Sequence, residues 1–222
     1  MIRNICLAIA LISLLLAIGP SLFGEIREQL KSGKPRGVDC SGVFLEIRDL
    51  CQSMGVTKDI KVKIVPTWRN AESKFSTIRI GEPILGKFDK ASRDGMLGHE
   101  LAHIKRNHSA KKIPILIAII ILLSVIYLFV PLQFTPFTFL VLSFGIVGIA
   151  SRFMTWPFEY EADVVAAQHL GHEAVESFLR AVADIRQVDI QRDFYFHPSI
   201  ANRIANLGWS RQTRFKKWYF EL

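Results

Sequence analysis

The stretch Gly98-His99-Glu100-Leu101-Ala102-His103 decides how this 222-residue chain is interpreted. It has the pattern H-E-x-x-H, in which two histidines stand four residues apart. On a helix, residues with this spacing lie on one face, so His99 and His103 can offer two ring nitrogens to one metal ion. Glu100 lies beside them and is suited to act as a general base toward water. The pattern predicts a zinc site, unless the three residues share a helix by coincidence.

A second stretch, from Trp156 to Asp163, is acidic and offers a candidate for a further ligand. It places Glu159 and Asp163 four residues apart. On a helix the first carboxylate can bind the metal, while the second orients a ligating histidine through its other ring nitrogen. The alternative is a solvated acidic helix start, which the helix dipole favours. Because H-E-x-x-H leaves a ligand position to fill, we predict one Zn²⁺ per chain bound by His99, His103 and Glu159.

Apolar residues, half of the chain, come in blocks. Residues 113–132 carry no charge, over about the 20 positions that a helix needs to cross a hydrocarbon core. Residues 134–151 form a second block, which extends to Trp156 if Arg152 reaches the interface. We predict a transmembrane helical hairpin over 113–154. The alternative is a pair of buried core helices.

The first 23 residues form a third apolar block, which is either a cleaved signal peptide or an anchor. No small-x-small cleavage site follows it, and we predict an N-terminal transmembrane anchor over 1–23. Basic residues flank the predicted hairpin at Lys105–Lys112 and at Arg152, whereas its far turn has none. This asymmetry predicts a multi-pass protein of the plasma (inner) membrane, with the intervening domain facing the cytoplasm.

The net charge of +8 fits contact with the lipid bilayer, and no nucleic-acid-binding pattern is present. Three cysteines without paired spacing agree with a reducing compartment. We therefore expect the bilayer as a partner and no nucleic acid.

Periodicity predicts an α+β, mostly helical domain around the motif. We expect a helix over 43–54, strands over 60–64 and 75–80, and an amphipathic helix over 175–185. The edge of a strand beside the motif helix can pair with an extended peptide, or be covered like an ordinary edge. His108 lies five residues beyond His103 and is turned off the ligand face, so we interpret it as a surface residue.

These assignments divide the chain into four parts. Residues 1–23 form the anchor, and 24–112 form the first half of the domain with the H-E-x-x-H helix. Residues 113–154 form the hairpin. Residues 155–222 form the second half, with the third ligand and a tail that is basic and aromatic.

GHELAHIKRNH, the hydrophobic hairpin and SRFMTWPFEYEAD together resemble the HtpX-like membrane zinc metallopeptidases, relatives of the CaaX prenyl proteases and the Oma-type peptidases. The resemblance covers about residues 60–207 and implies a small gluzincin-type peptidase domain. It implies His99, His103 and Glu159 as zinc ligands, Glu100 as base and Asp163 as the residue that supports a ligand. The chain departs from HtpX in having one predicted span before the domain where HtpX has two.

The segment from His197-Pro198 to Arg203 resembles the family's H-P-x...R segment. The resemblance implies that His197 and Arg203 stabilise the oxyanion of a tetrahedral intermediate, a role that fixed donors fill in hydrolases. The alternative is a capping histidine and a surface arginine.

The resemblance implies a zinc metalloendopeptidase that hydrolyses peptide bonds of misfolded or membrane-associated proteins in quality control. Two alternatives stand beside it. One is a CaaX prenyl-type protease, although proteins with that activity resemble longer chains with more spans. The other is a non-catalytic membrane scaffold with a structural metal site, although such sites use four protein ligands and only three are found here.

Overall fold

The structure is a computed structural model that describes residues 41–129, 136–193 and 197–209. These residues form a small sheet and a larger set of helices, which confirms the predicted, mostly helical α+β class. The helices are α1 (Ser41–Met54), α2 (Glu82–Lys87), α3 (Lys90–Lys105), α4 (His108–Phe129), α5 (Pro136–Leu170), α6 (His172–Arg186) and α7 (Ile200–Trp209). The strands are β1 (Lys61–Val65), β2 (Ala71–Lys74) and β3 (Thr77–Gly81).

The three strands form one mixed sheet in the order β1-β3-β2. β1 runs parallel to β3, with Val62 opposite Ile78, and β2 runs antiparallel to β3, with Ser73 opposite Ile78. The predicted strands correspond to β1 and β3. The polar strand β2 was not predicted, because its sequence AESK lacks the alternation of apolar and polar residues that marks a half-buried strand.

Helix α3 carries H-E-x-x-H through the centre of the core. Its start is fixed by Asp89, whose side chain accepts a hydrogen bond from the backbone N–H of Ser92 at 2.8 Å. It packs most extensively against α6, and this approach requires a glycine at position 95. A Cβ atom on Gly95 would lie 2.2 Å from the carbonyl oxygen of Ala174. The motif helix is therefore held on one side by α6.

The described residues fall into two compact units, one within Ala110–Met154 and the other within Pro35–Ser109 and Thr155–Leu222. Among the described residues, none of the helices combines the length and the apolar character needed to cross a membrane. The transmembrane hairpin predicted over 113–154 is thus not supported, and the predicted anchor over 1–23 lies outside the described residues.

Candidate metal centre

Two helices bring three side chains that could hold a metal ion together. The Nε2 atoms of His99 and His103, one turn apart on α3, lie 3.1 Å from each other. Glu159 on α5 faces them, with Oε2 3.5 Å from His99 Nε2 and Oε1 3.5 Å from His103 Nε2. One ligand atom from each residue falls within 4.8 Å of the others. Two imidazole nitrogens and a carboxylate are the protein ligands of many catalytic zinc sites, so the donor set fits such an ion.

Glu159 supplies a second sign that the arrangement suits a cation. Its Oε2 atom is buried and lies 3.0 Å from Nδ1 of His197, yet neither atom makes a hydrogen bond with any residue that the structure describes. Burial opposes ionisation of Glu159, but the charge of His197 and contacts with His99 and His103 hold its pKa well below its usual range. An ionised, buried carboxylate oxygen that accepts no hydrogen bond from the described residues is suited to bind a metal ion.

Asp163 contacts the ring of His99 on the side away from Glu159. It is fully buried on α5, and its Oδ1 atom accepts a hydrogen bond from His99 Nδ1 at 2.9 Å. Arg203 on α7 donates to the same carboxylate through Nε and Nη2, both at 2.7 Å. Burial alone would raise the pKa of Asp163, but the charge of Arg203 and the two sets of hydrogen bonds lower it. The Nδ1–H of His99 is thereby fixed, and its Nε2 is left for the metal.

His103 contacts a residue that the sequence predicted to lie at the surface. The Nδ1 atoms of His103 and His108 lie 2.7 Å apart, and His108 Nε2 lies 3.1 Å from Oε2 of Glu161. Oε1 of Glu161 accepts a hydrogen bond from Arg106 Nε. His108 is only 1% exposed, so its interpretation as a surface residue was wrong.

The chain turns between His103 and His108. The prediction extended the helix of His103 without a break, whereas α3 ends at Lys105 and α4 begins at His108. Asn107 between them has φ of 56°, a left-handed conformation that turns the chain. Because of this turn, helical spacing no longer relates His103 to His108, and the second histidine comes back to contact the first.

Glu100 lies in the wall of a cavity that it shares with His99, Glu159 and His197. Its side chain is buried, and burial raises its pKa above the usual value. A carboxylate with a raised pKa accepts and releases a proton more readily near neutral pH, as a general base requires. The rest of the cavity wall is largely apolar and includes Ile84, Phe88, Met96, Phe178, Val182 and Ile185.

All seven side chains singled out in the sequence meet in this region. His99, Glu100, Glu159, His197 and Arg203 line the cavity, and His103 and Asp163 contact members of that set. Among the residues missed were His108, Glu161 and Arg106. The only signal for them in the sequence was the presence of a histidine and an arginine just after the motif and a glutamate within the acidic stretch.

An H-E-x-x-H helix beside a small sheet, with a carboxylate ligand from a later helix, defines a gluzincin-type metallopeptidase site. The family model of peptidase family M48 matches residues 70–209, and the chain belongs to this family of metallopeptidases. The family includes the HtpX-like proteins, so the resemblance read from the sequence is confirmed. No curated protein matches the chain.

Proposed function

We propose that the protein is a zinc-dependent endopeptidase that hydrolyses peptide bonds of misfolded or membrane-associated proteins, in a quality-control role. The observation that carries the proposal is the convergence of His99, His103 and Glu159 in a member of a metallopeptidase family. Glu100 lies at the same cavity, and this position supports a catalytic site over a structural one. A structural zinc site has four protein ligands and no position for water.

Zinc bound by these three residues would polarise the scissile carbonyl and lower the pKa of a water molecule. Glu100 takes the proton of the attacking water and later delivers it to the leaving amine. Its buried position in the cavity wall keeps bulk water from competing for that proton. Asp163 holds His99 in one tautomer and one orientation during these steps.

His197 is the better of the two predicted oxyanion donors. Its side chain is 43% exposed, at the wall of the cavity, so it can reach a bound substrate. Arg203 already donates twice to Asp163 and is 7% exposed. We therefore assign the donor role to His197, while Arg203 positions Asp163.

Contact with a lipid bilayer is proposed for the unit within Ala110–Met154. Large apolar side chains on α4 and on the first part of α5 are exposed, among them Ile121, Leu122, Ile149 and Phe153 at 58%, 58%, 59% and 69%. Exposed apolar surface of this kind is typical of membrane or protein contacts. Together with the basic residues near these helices, it supports a location at the plasma (inner) membrane with the peptidase domain on the cytoplasmic side.

The proposal is tested with the full-length protein in detergent, by metal analysis and by cleavage of casein. We expect about one zinc per chain in the wild type. Glu100→Gln should keep the zinc and lose cleavage by about 10² to 10⁴-fold. Glu159→Gln should lose the zinc.

Two results would contradict the proposal. Full cleavage by Glu100→Gln would remove the assigned base, and normal zinc binding with normal cleavage by Glu159→Gln would remove the third ligand. Cleavage of a prenylated CaaX peptide with no action on casein would favour the CaaX-type alternative instead.

A further inference from the structure

The two metal-binding histidines are supported in different ways. His99 donates directly to Asp163, whose carboxylate is held by Arg203. The Nδ1 atom of His103 faces a second imidazole, that of His108, at 2.7 Å. A carboxylate and an arginine, Glu161 and Arg106, follow only after this extra ring.

The hydrogen bonds that link His103 to His108 and Glu161 have directions that follow from the chemistry of these side chains. Glu161 receives a hydrogen bond from Arg106 and lies 3.1 Å from His108 Nε2. A carboxylate accepts, so His108 donates through Nε2–H, and the Nδ1 of the neutral ring then carries a lone pair. That lone pair accepts the Nδ1–H of His103. His103 is left with a lone pair on Nε2, the atom that faces His99 and Glu159.

We propose that His108 is a positioning residue of the metal centre, which sets the tautomer and ring orientation of His103 through a relay that continues to Glu161 and Arg106. The inference rests on the zinc site proposed above. It extends that site by one imidazole, one carboxylate and one guanidinium.

Burial of His108 supports the same conclusion. The ring is 1% exposed and stacks on Phe158, with centroids 4.6 Å apart and planes at 23°. A buried imidazole is costly unless both of its nitrogens are hydrogen-bonded. Here one nitrogen contacts Glu161 and the other contacts His103. These two contacts fix the orientation of the His108 ring.

Glu161 and Asp163 stand two residues apart on α5, just beyond the ligand Glu159. One supports His99 and the other supports His103 through His108. A single short segment of α5 thus provides one metal ligand and the two carboxylates that support the two histidines.

The test measures zinc affinity of the full-length protein by competition with a chelator. His108→Phe keeps a ring of similar shape but removes both nitrogens, and we expect zinc to bind about 10- to 100-fold more weakly. His108→Gln retains a side-chain oxygen that can accept the Nδ1–H of His103, so it should bind zinc more tightly than His108→Phe. His169→Phe alters an exposed histidine and is the matched control, with unchanged affinity.

A second readout separates positioning from a purely structural role. In the cobalt-substituted protein, the ligand-field absorption bands should shift in His108→Phe and stay unchanged in His169→Phe, because only the first alters the orientation of a ligand. If His108→Phe does not fold, Glu161→Gln, which keeps the side-chain shape, takes its place and should also weaken zinc binding. Circular dichroism verifies the fold of each variant.

The outcomes distinguish this inference from the zinc proposal on which it rests. A wild type that binds no zinc overturns the zinc proposal itself. A wild type that binds zinc, together with folded His108→Phe or Glu161→Gln variants of equal affinity and unchanged cobalt spectra, overturns the relay alone.

Discussion

Arg203 donates two hydrogen bonds to Asp163, Nε to Oδ2 and Nη2 to Oδ1, both at 2.7 Å and both buried. This paired arrangement is the strongest geometry that arginine and a carboxylate adopt. It connects α7 to α5, and since Asp163 also contacts His99, it connects both to α3. The fold and the metal centre therefore depend on the same buried ion pair.

Removing one partner of this pair should destabilise the protein strongly. Arg203→Leu leaves the Asp163 carboxylate buried without its cation, for which we expect a loss of about 3 to 5 kcal/mol in the free energy of unfolding. Denaturant unfolding measures it. Arg180→Leu is the control, because Arg180 pairs with Glu176 at the surface and should cost less than about 1 kcal/mol. Equal losses in the two variants would contradict a special role for the buried pair.

The contact between His99 and Asp163 predicts a pH dependence of stability in the chelator-treated protein. Burial lowers the pKa of His99, but Asp163 raises it more, to about 9. A histidine whose pKa is raised on folding stabilises fully below its unfolded value of 6.5, and this contribution is lost as pH rises through about 9. We expect the free energy of unfolding to fall by a few kcal/mol over that window.

Asp163→Asn is the control for this titration. It removes the charge that stabilises protonated His99, so the slope between these pH values should largely disappear. A wild-type protein whose metal-free stability is flat across the window would show that the contact does not favour the protonated ring.

The close packing of α3 on α6 predicts an unusual sensitivity to one methyl group. Gly95→Ala would place Cβ 2.2 Å from the backbone oxygen of Ala174. Backbone atoms cannot move aside as a flexible side chain can, so we expect a loss of about 1 to 3 kcal/mol. Thermal unfolding would measure it.

Gly86→Ala on α2 is the matched control, since its added Cβ would have no atom within 4 Å among the described residues beyond its chain neighbours and its own helix. Alanine is the better helix former, so this change should be neutral or slightly stabilising. A Gly95→Ala variant as stable as the wild type would mean that α3 and α6 shift apart without cost.

The placements that the sequence predicted correctly are those of residues related by regular helical spacing. His99 with His103 and Glu159 with Asp163 are four residues apart on continuous helices, so periodicity alone places each pair on one face. The relation of His103 to His108 depends on the left-handed Asn107, and one residue outside the helical region is enough to invalidate the spacing.

Other features depended on tertiary contacts that no local pattern reveals. Strand β2 is polar and is held in the sheet by its pairing with β3. The Arg203 guanidinium likewise contacts Asp163, which lies 40 residues away along the chain. Sequence reasoning found Arg203 but could not distinguish a donor to substrate from a donor to a carboxylate.

His197 is the remaining side chain whose role can be decided by kinetics. Its Nδ1 atom lies 3.0 Å from Oε2 of Glu159, while its side chain remains 43% exposed at the cavity. If it donates to the oxyanion, His197→Ala should lower kcat by about 10² to 10³-fold while KM and zinc affinity stay near the wild-type values, because the interaction forms only in the transition state. His169→Ala is the control. A variant that instead loses zinc, with kcat restored when zinc is added in excess, would show that His197 serves to hold Glu159 in place and does not act on the substrate.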